Sequence, residues 1–356
     1  SKKGIGGSYY FSQGANLKTD PDLLQANLAM EKVSAVSITN LPKWFAHFDN
    51  AGTITYFAYD AGGKIYSDAS TWASLRTVSS SHGQGMAVFG NYLYYAQDAQ
   101  LGRYGDLTSS PTFTDNYQTL NSDLDWHPCK TFLNYLCVGN GRTLATLDDS
   151  LTWTAAKITL PLGWKIKSLE VKGDFLYIGA WKGNAITSYE QGAIFSWDGT
   201  STTWNSVEFI NESGVNAIMN YNDTLYIWAG TRGNIYQYTG GKFYKIKRVP
   251  FIGDGKYADV YPGAVTGFNG MVHFGMSGIT DSTTLYQGIY TWGQVEKNYP
   301  MVLNYEYPIS TGVTQNSTLS IGAVYAASPV KLFTGWRQAN TVTMTIADPC
   351  EVTWAS

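Results

Sequence analysis

A short phrase recurs along this chain at nearly even spacing: an Asn or Asp, an apolar pair ending in Tyr or Cys, and then a small residue. Its central apolar residue falls, in five successive copies, at Leu93, Leu136, Leu176, Leu225 and Val272. The steps between these positions are about 43, 40, 49 and 47 residues, which is the length of one β-propeller blade. Fainter copies near Thr55 and Leu332 extend the series to seven.

Each repeat contains alternating β-branched and aromatic residues between clusters of Gly, Asn and Asp, which indicates paired strands. An apolar run precedes the phrase, a Gly-containing turn follows it, and a later segment carries one aromatic residue. We therefore predict an all-β fold, a β-propeller of seven four-stranded blades. A six-bladed propeller followed by a separate β-element is the alternative, because about 60 residues separate Val272 from Leu332.

The chain is predicted to have three parts. Residues 1–40 form an extended arm and one short helix from Asp20 to Glu31, where Pro21 occupies a first-turn position before a partial apolar stripe. Residues 41–338 form the propeller. Residues 339–356 either close the last blade or begin a further small β-domain, and the sequence leaves open whether the native chain continues past Ser356.

The composition fits a globular chain that can bury large cores, with 44% hydrophobic and 14% charged residues among 356. The aromatic content of 15% suits the thin layers between blades, where a flat ring packs while its polar atom reaches a partner. A net charge of −3 does not provide the overall positive charge that is typical of nucleic-acid-binding proteins, so we expect no nucleic-acid partner. No apolar stretch is long enough for a membrane helix, so we expect no membrane insertion.

No residue pattern indicates a catalytic, metal or cofactor site. The four histidines lie far apart, and none has a metal-ligating partner at short spacing. The tightest cluster is Asp123 and Asp125 with His127, which we interpret as a turn between blades. Three cysteines are too few for a disulfide framework, and we expect free buried thiols. We therefore predict a protein without enzymatic activity, metal or cofactor.

One motif is more specific. The segment from Thr146 to Trp153 fits the Asp-box pattern Ser/Thr-x-Asp-x-Gly-x-Thr-Trp, with Ser150 at the Gly position, and Ser196 to Trp204 is an expanded version. An Asp in such a turn can accept hydrogen bonds from backbone N–H groups of the same turn, while the Trp packs into the apolar interior of the blade. The predicted structural residues are Asp148, Trp153, Asp198 and Trp204.

These turns resemble the Asp-box (BNR) repeats of sialidases and other propeller glycosidases. In those families the box lies between the third and fourth strands and away from catalysis, so the resemblance implies the fold more than hydrolysis. A sialidase also requires three converging arginines, and this chain has six arginines without the Phe-Arg-Ile-Pro motif of bacterial sialidases. Glycan binding or sialidase-like cleavage is kept as the alternative function.

The run from Tyr9 to Trp336 also resembles β-propeller structural proteins, of the tail or head–tail region, of tailed bacteriophages and uncultured viruses. The stretches that carry this resemblance are Phe11 to Asp20, Gly62 to Tyr66, Tyr92 to Tyr95 and Leu101 to Tyr104. The segment from Thr341 to Ser356 resembles the first strands of small β-domains in phage tail proteins. The resemblance implies a virion structural or assembly protein, made in the host cytoplasm, that contacts other virion proteins, its own copies or a host-surface glycan.

A binding face is predicted from cations that follow the repeated phrase in four repeats. Turns after the second strand of each blade share one end of a propeller, so these cations should surround one end of the axis, and two tryptophans should stand beside them. The predicted face consists of Arg142, Lys182, Arg232, Arg337, Trp181 and Trp336. We expect it to dock an acidic partner with the tryptophans as anchors. A third interpretation, a kelch or WD scaffold, lacks the sequence signatures of those families.

Overall fold

The computed structural model describes most of the chain. The described residues are 2–3, 9–13, 15–16, 25–26, 31–32, 38, 40–78, 83–122, 126–184, 189–249, 258–279, 288–294, 301–308, 318–328, 331–338 and 341–347.

Five short strands belong to the N-terminal region. They are β1 (Lys2–Lys3), β2 (Tyr9–Gln13), β3 (Ala15–Asn16), β4 (Gln25–Ala26) and β5 (Glu31–Lys32). Strands β3 and β4 pair with each other, whereas β5 pairs with a strand near the other end of the chain. The predicted helix from Asp20 to Glu31 is therefore wrong where the structure describes it. The remainder of that segment lies outside the described residues.

Five four-stranded antiparallel sheets follow in chain order, and each is one blade. The first blade contains β6 (Pro42–Asn50), β7 (Thr53–Asp60), β8 (Lys64–Ser67) and β9 (Ala73–Thr77). The second contains β10 (Gly85–Phe89), β11 (Tyr92–Gln97), β12 (Gln100–Gly105) and β13 (Thr112–Thr119). The third contains β14 (Cys129–Phe132), β15 (Tyr135–Asn140), β16 (Thr143–Asp148) and β17 (Trp153–Thr159).

The fourth blade contains β18 (Trp164–Lys172), β19 (Phe175–Asn184), β20 (Tyr189–Trp197) and β21 (Ser206–Ile210). The fifth contains β22 (Val215–Tyr221), β23 (Thr224–Ala229), β24 (Asn234–Thr239) and β25 (Lys242–Arg248). A short 3-10 helix at Asp68–Ser70, in the turn between β8 and β9, is the one helical segment among the described residues.

The sixth blade is an eleven-stranded sheet. Its C-terminal strands are β26 (Ala258–Asp259), β27 (Val265–Phe268), β28 (Met271–Ile279), β29 (Gly288–Gln294), β30 (Met301–Pro308), β31 (Thr318–Ser328), β32 (Lys331–Gln338) and β33 (Thr341–Ala347). They lie in the order β30-β29-β28-β31-β32-β33, while β26 and β27 also pair with β28. The N-terminal strands extend both edges, since β2 pairs in parallel with β30 and β5 pairs with β33.

The structure therefore has six blades, and the expected seven separate blades are wrong. The sixth and seventh repeats are joined because β28 extends past its pairing with β29. Its last residues, Gly278 and Ile279, pair with Leu319 and Thr318 at the start of β31. Hydrogen bonds between these ends convert two expected sheets into one.

The all-β propeller itself is confirmed, and the repeated phrase lies on the second strand of a blade. The five marker residues occupy the second strands of blades two to six and are buried. Large side chains from neighbouring blades pack into six hydrophobic clusters, each between two successive blades. The cluster of Phe45, Tyr66, Trp72 and Phe333 lies between the sixth blade and the first and so closes the ring.

Candidate functional site

Successive strands of a blade run in opposite directions, so their turns lie at two distinct ends of the propeller. We define the upper face as the end at which the first strand of each blade begins, and the lower face as the opposite end. In an antiparallel meander, the turn after the second strand returns to the upper face, while the turn after the first or third strand lies on the lower face. The cations predicted after the second strands therefore share the upper face.

The structure places the predicted face residues on several blades. Exposed Arg142 lies in the turn between β15 and β16, and exposed Arg232 lies in the turn between β23 and β24. Half-buried Trp181 and Lys182 lie near the end of β19. Arg337 and Trp336 lie near the end of β32 in the sixth blade, where half-buried Trp336 packs against the hydrophobic cluster between blades five and six.

The third and fourth blades bring part of this set together. The Leu160 N–H donates to the Arg142 carbonyl oxygen at 2.8 Å, which ties the Arg142 turn to the connection leading into the fourth blade. The Lys182 ammonium lies 6.0 Å from the centroid of the Trp164 ring, and the Lys165 ammonium lies 5.5 Å from that of Trp181. These side chains form one continuous part of the upper face.

Two exposed apolar side chains that were not among the predicted site residues lie in the same region. Leu162 is 81% exposed in the connection between β17 and β18, and Phe209 is 56% exposed on β21. The Phe209 ring lies 6.0 Å from the Trp164 ring, which holds it beside the cations. A bulky apolar residue between Pro161 and Gly163, where a turn favours polar residues, was the signal that could have identified Leu162.

We name this region the fourth-blade patch. Its residues are Arg142, Leu162, Lys165, Trp181, Lys182 and Phe209. Exposed apolar side chains next to cations are typical of a protein-binding surface, in which apolar anchors bury area and charges select the partner.

A cavity of about 540 Å³ occupies the propeller axis. The first strands of blades one to five line it, together with β27 and β31 of the sixth blade. Most of the wall is apolar, but it also carries two polar pairs. The two side chains of each pair come from neighbouring blades. The Lys130 ammonium lies 2.8 Å from Glu170 Oε1, and His47 Nδ1 is hydrogen-bonded to the Tyr325 hydroxyl.

An aromatic and cationic cluster surrounds Trp126, which precedes the first strand of the third blade. The Lys43 ammonium lies 4.0 Å from the Trp126 ring centroid, and the Lys167 ammonium lies 5.6 Å from it. The Tyr261 ring contacts Trp126 at 5.3 Å between centroids. Lys167 also donates to Asn216 Oδ1 at 2.8 Å. This cluster offers a half-buried indole with two ammonium groups beside it.

The turns with the Asp-box pattern hold their aspartates in local hydrogen bonds. Asp148 Oδ1 accepts the Thr152 N–H at 2.8 Å. Asp198 accepts the N–H groups of Thr200 and Ser201 at 2.8 and 2.7 Å, and these donors hold the pKa of the Asp198 carboxyl below its ordinary value. Because these donors are local, the aspartates stabilise their own turns.

The tryptophans of these turns differ from the expectation. Trp153 and Trp204 are only half-buried, and each packs against the edge of a cluster between blades. Fully buried Trp197 instead fills the layer between blades three and four, and its Nε1–H donates to the Ser201 carbonyl at 2.8 Å. Trp197 stands at the end of β20, where its side chain points into the layer.

The cluster of Asp123, Asp125 and His127 is described only in part, because both aspartates lie outside the described residues. His127 is fully buried, with Nδ1 at 2.9 Å from the Gly139 carbonyl and Nε2 at 3.0 Å from the Asp98 carbonyl. Burial lowers the pKa of His127 although these carbonyl oxygens favour its charged form. The histidine thus links the second and third blades.

No group of three or more His, Cys, Asp or Glu side chains in the described ranges could hold a metal ion. In that same part of the chain, no helix is both long and apolar enough to cross a membrane.

Comparison with solved structures shows the fold alone. The extracellular domain of a hybrid two-component system from B. thetaiotaomicron has a TM-score of 0.58 and 13% identity, covering 90% of this chain and 39% of that chain. The β-propeller domain of Cps50 (Swd1) from Myceliophteria thermophila has a TM-score of 0.54 and 11% identity, covering 83% of this chain and 93% of that one. Neither the models of known protein families nor the sequences of curated proteins match this chain.

Proposed function

We propose that this chain is a non-enzymatic structural or assembly protein of a tailed-phage virion, located in the tail or head–tail region and assembled as a homo-oligomer. Its upper face docks an acidic segment of another virion protein through the fourth-blade patch. The virion location is supported by the resemblance of stretches such as Phe11 to Asp20 to phage propellers.

The observation that carries the docking proposal is the exposure of Leu162 and Phe209 beside basic side chains. A large apolar side chain that is 81% exposed, as Leu162 is, gains free energy when a partner covers it. Phe209 rests on the buried Trp164 ring, so it presents a fixed aromatic surface to a partner. Apolar anchors held in place in this way are typical of binding hot spots.

The charge of the patch selects an acidic partner. Arg142, Lys165 and Lys182 contribute positive charge, whereas the exposed Glu190 on the adjacent strand β20 and Glu212 in the connection after β21 contribute negative charge, the latter hydrogen-bonded to Asn234 and Tyr236. Basic groups therefore outnumber acidic ones among the described residues at this end of the fourth blade. An acidic segment with one or two apolar side chains matches both features of the patch.

Cross-linking mass spectrometry of purified virions tests the location and the face together. We expect the chain among the virion proteins and cross-links from Lys165 or Lys182 to acidic segments of a neighbour. Particles that lack the chain would refute the virion role, and cross-links confined to lower-face lysines would refute the docking face.

A matched pair of variants then isolates the patch. Phe209→Ser combined with Lys182→Glu should abolish incorporation into particles, with little change in Tm, because Phe209 is exposed and Lys182 is only half-buried. Leu133→Asp, at a residue 61% exposed on the lower face, is the control and should assemble normally. Normal assembly of the double variant would contradict the proposal.

Glycan binding is the second candidate, and the Trp126 cluster favours it. The carboxylate of an acidic sugar could pair with the ammonium group of Lys43, which lies over the Trp126 ring at 4.0 Å from its centroid. Binding to sialylated or uronic-acid glycans on an array, lost in Trp126→Ala and kept in Phe209→Ser, would support this candidate. Hydrolysis of a sialoside by the purified protein would contradict the non-enzymatic assignment.

A further inference from the structure

We propose that the axial cavity binds a small, uncharged amphipathic molecule with a hydroxyl or amide head group and an apolar body. The proposal is independent of the docking face, since it rests on the channel walls. The cavity of about 540 Å³ falls within the range of roughly 300–1,000 Å³ that is usual for small-molecule sites.

The apolar part of the wall fixes the body of the ligand. Side chains from four blades contribute to it, namely Met86, Leu169, Ile218, Met219, Val265 and Val324. Water in contact with such a wall cannot make its full set of hydrogen bonds, so an apolar occupant is favoured over water. The two methionines adapt to different ligand shapes because their side chains are unbranched and polarisable.

The charges on the wall determine that the ligand is neutral. Lys130 and Glu170 are the one lysine and the one carboxylate among the lining residues, and they are bonded to each other, while the other basic side chain, His47, is hydrogen-bonded to the Tyr325 hydroxyl. The charges of Lys130 and Glu170 cancel, so an anion or cation entering the cavity would lose its hydration without gaining an unpaired counter-charge.

The same ion pair anchors the polar head. The Lys130 ammonium has three N–H groups and contacts both carboxylate oxygens of Glu170, at 2.8 and 2.9 Å. A third N–H is left to donate to a ligand oxygen, and the carboxylate can accept from a ligand O–H or N–H. An alcohol or amide supplies both an acceptor and a donor. The Tyr325 hydroxyl is already bonded to His47 and is therefore not taken as the anchor.

Three probes of equal length test the head-group chemistry: hexanamide, hexanoate and hexylammonium. Saturation-transfer NMR on the intact protein should show hexanamide binding at least tenfold more tightly than either charged analogue. Equal or tighter binding of hexanoate or hexylammonium would overturn the proposal, and so would the absence of hexanamide binding up to its solubility limit.

Variants locate the binding. Met219→Trp fills the channel and should abolish hexanamide binding, whereas Met301→Trp, at an exposed methionine of β30, should leave it unchanged. If Met219→Trp does not fold, the double variant Lys130→Met with Glu170→Gln decides, because it keeps the channel volume and removes both charges. That variant should lose at least tenfold in hexanamide affinity. Unchanged affinity in the double variant, or loss in Met301→Trp, would overturn the assignment.

Discussion

Trp197 should contribute more to stability than Trp153, the tryptophan that the sequence pattern selects. Trp197 is fully buried, its ring lies 6.0 Å from Phe132 and 6.1 Å from Tyr135, and its indole N–H is hydrogen-bonded to Ser201. Replacing a buried Trp by Ala costs about 3–5 kcal/mol. Trp153 is half-buried, so Trp153→Ala removes less contact area and should cost about 1–2 kcal/mol.

These free energies convert to measurable changes in Tm. An unfolding entropy of roughly 2.1 cal/mol/K per residue gives about 0.75 kcal/mol/K for a chain of 356 residues. Trp197→Ala should then lower Tm by about 4–7 °C and Trp153→Ala by about 1–3 °C, provided that the closed ring unfolds as one unit. Differential scanning calorimetry of both variants measures the difference directly.

Trp197→Phe separates packing from hydrogen bonding. It keeps most of the aromatic contact but leaves the Ser201 carbonyl without this donor, which costs about 1–3 kcal/mol. Its Tm should therefore lie between those of the wild type and Trp197→Ala. A Tm for Trp153→Ala equal to or below that of Trp197→Ala would refute the reasoning, because it would mean that burial in the layer between blades does not determine the cost.

Two further predictions concern the junction between the second and third blades. Burial lowers the pKa of His127, so the unfolded chain binds a proton more readily than the folded one as the pH falls below about 6.5, and stability should drop. The difference in Tm between the wild type and His127→Gln should therefore change between pH 8 and pH 5.5, and a constant difference would contradict this linkage. Gly85→Ala should prevent folding, since its Cβ would lie 1.8 Å from the His127 carbonyl oxygen. Gly90→Ala, with open space around it but a φ of +54°, should cost only about 1–2 kcal/mol, and similar soluble yields of the two alanine variants would contradict the steric argument.

The candidate site was predictable only where it depended on position within a repeat. Arg142 and Lys182 were assigned to the upper face because the repeat phrase fixes which turn follows which strand. Leu162 had only the local signal of an apolar residue in a turn, and Phe209 had none, because an apolar residue in a strand gives no sign of whether a neighbouring blade covers it. Their exposure follows from how the fourth blade packs, which involves residues distant in sequence.

The sequence by itself determined the all-β propeller and the position of the marker residues, because alternation and turn residues act over a few neighbouring positions. Only the tertiary structure decided the number of blades and the structure of the N-terminal segment. Strand β28 is long enough to pair with β31, and Glu31–Lys32 pairs with Thr345 and Ile346 instead of beginning a helical turn. Both outcomes depend on which sheet edge lies nearby in space. An unpaired edge offers N–H and C=O groups for hydrogen bonding, and local sequence propensity contains no information about where that edge lies.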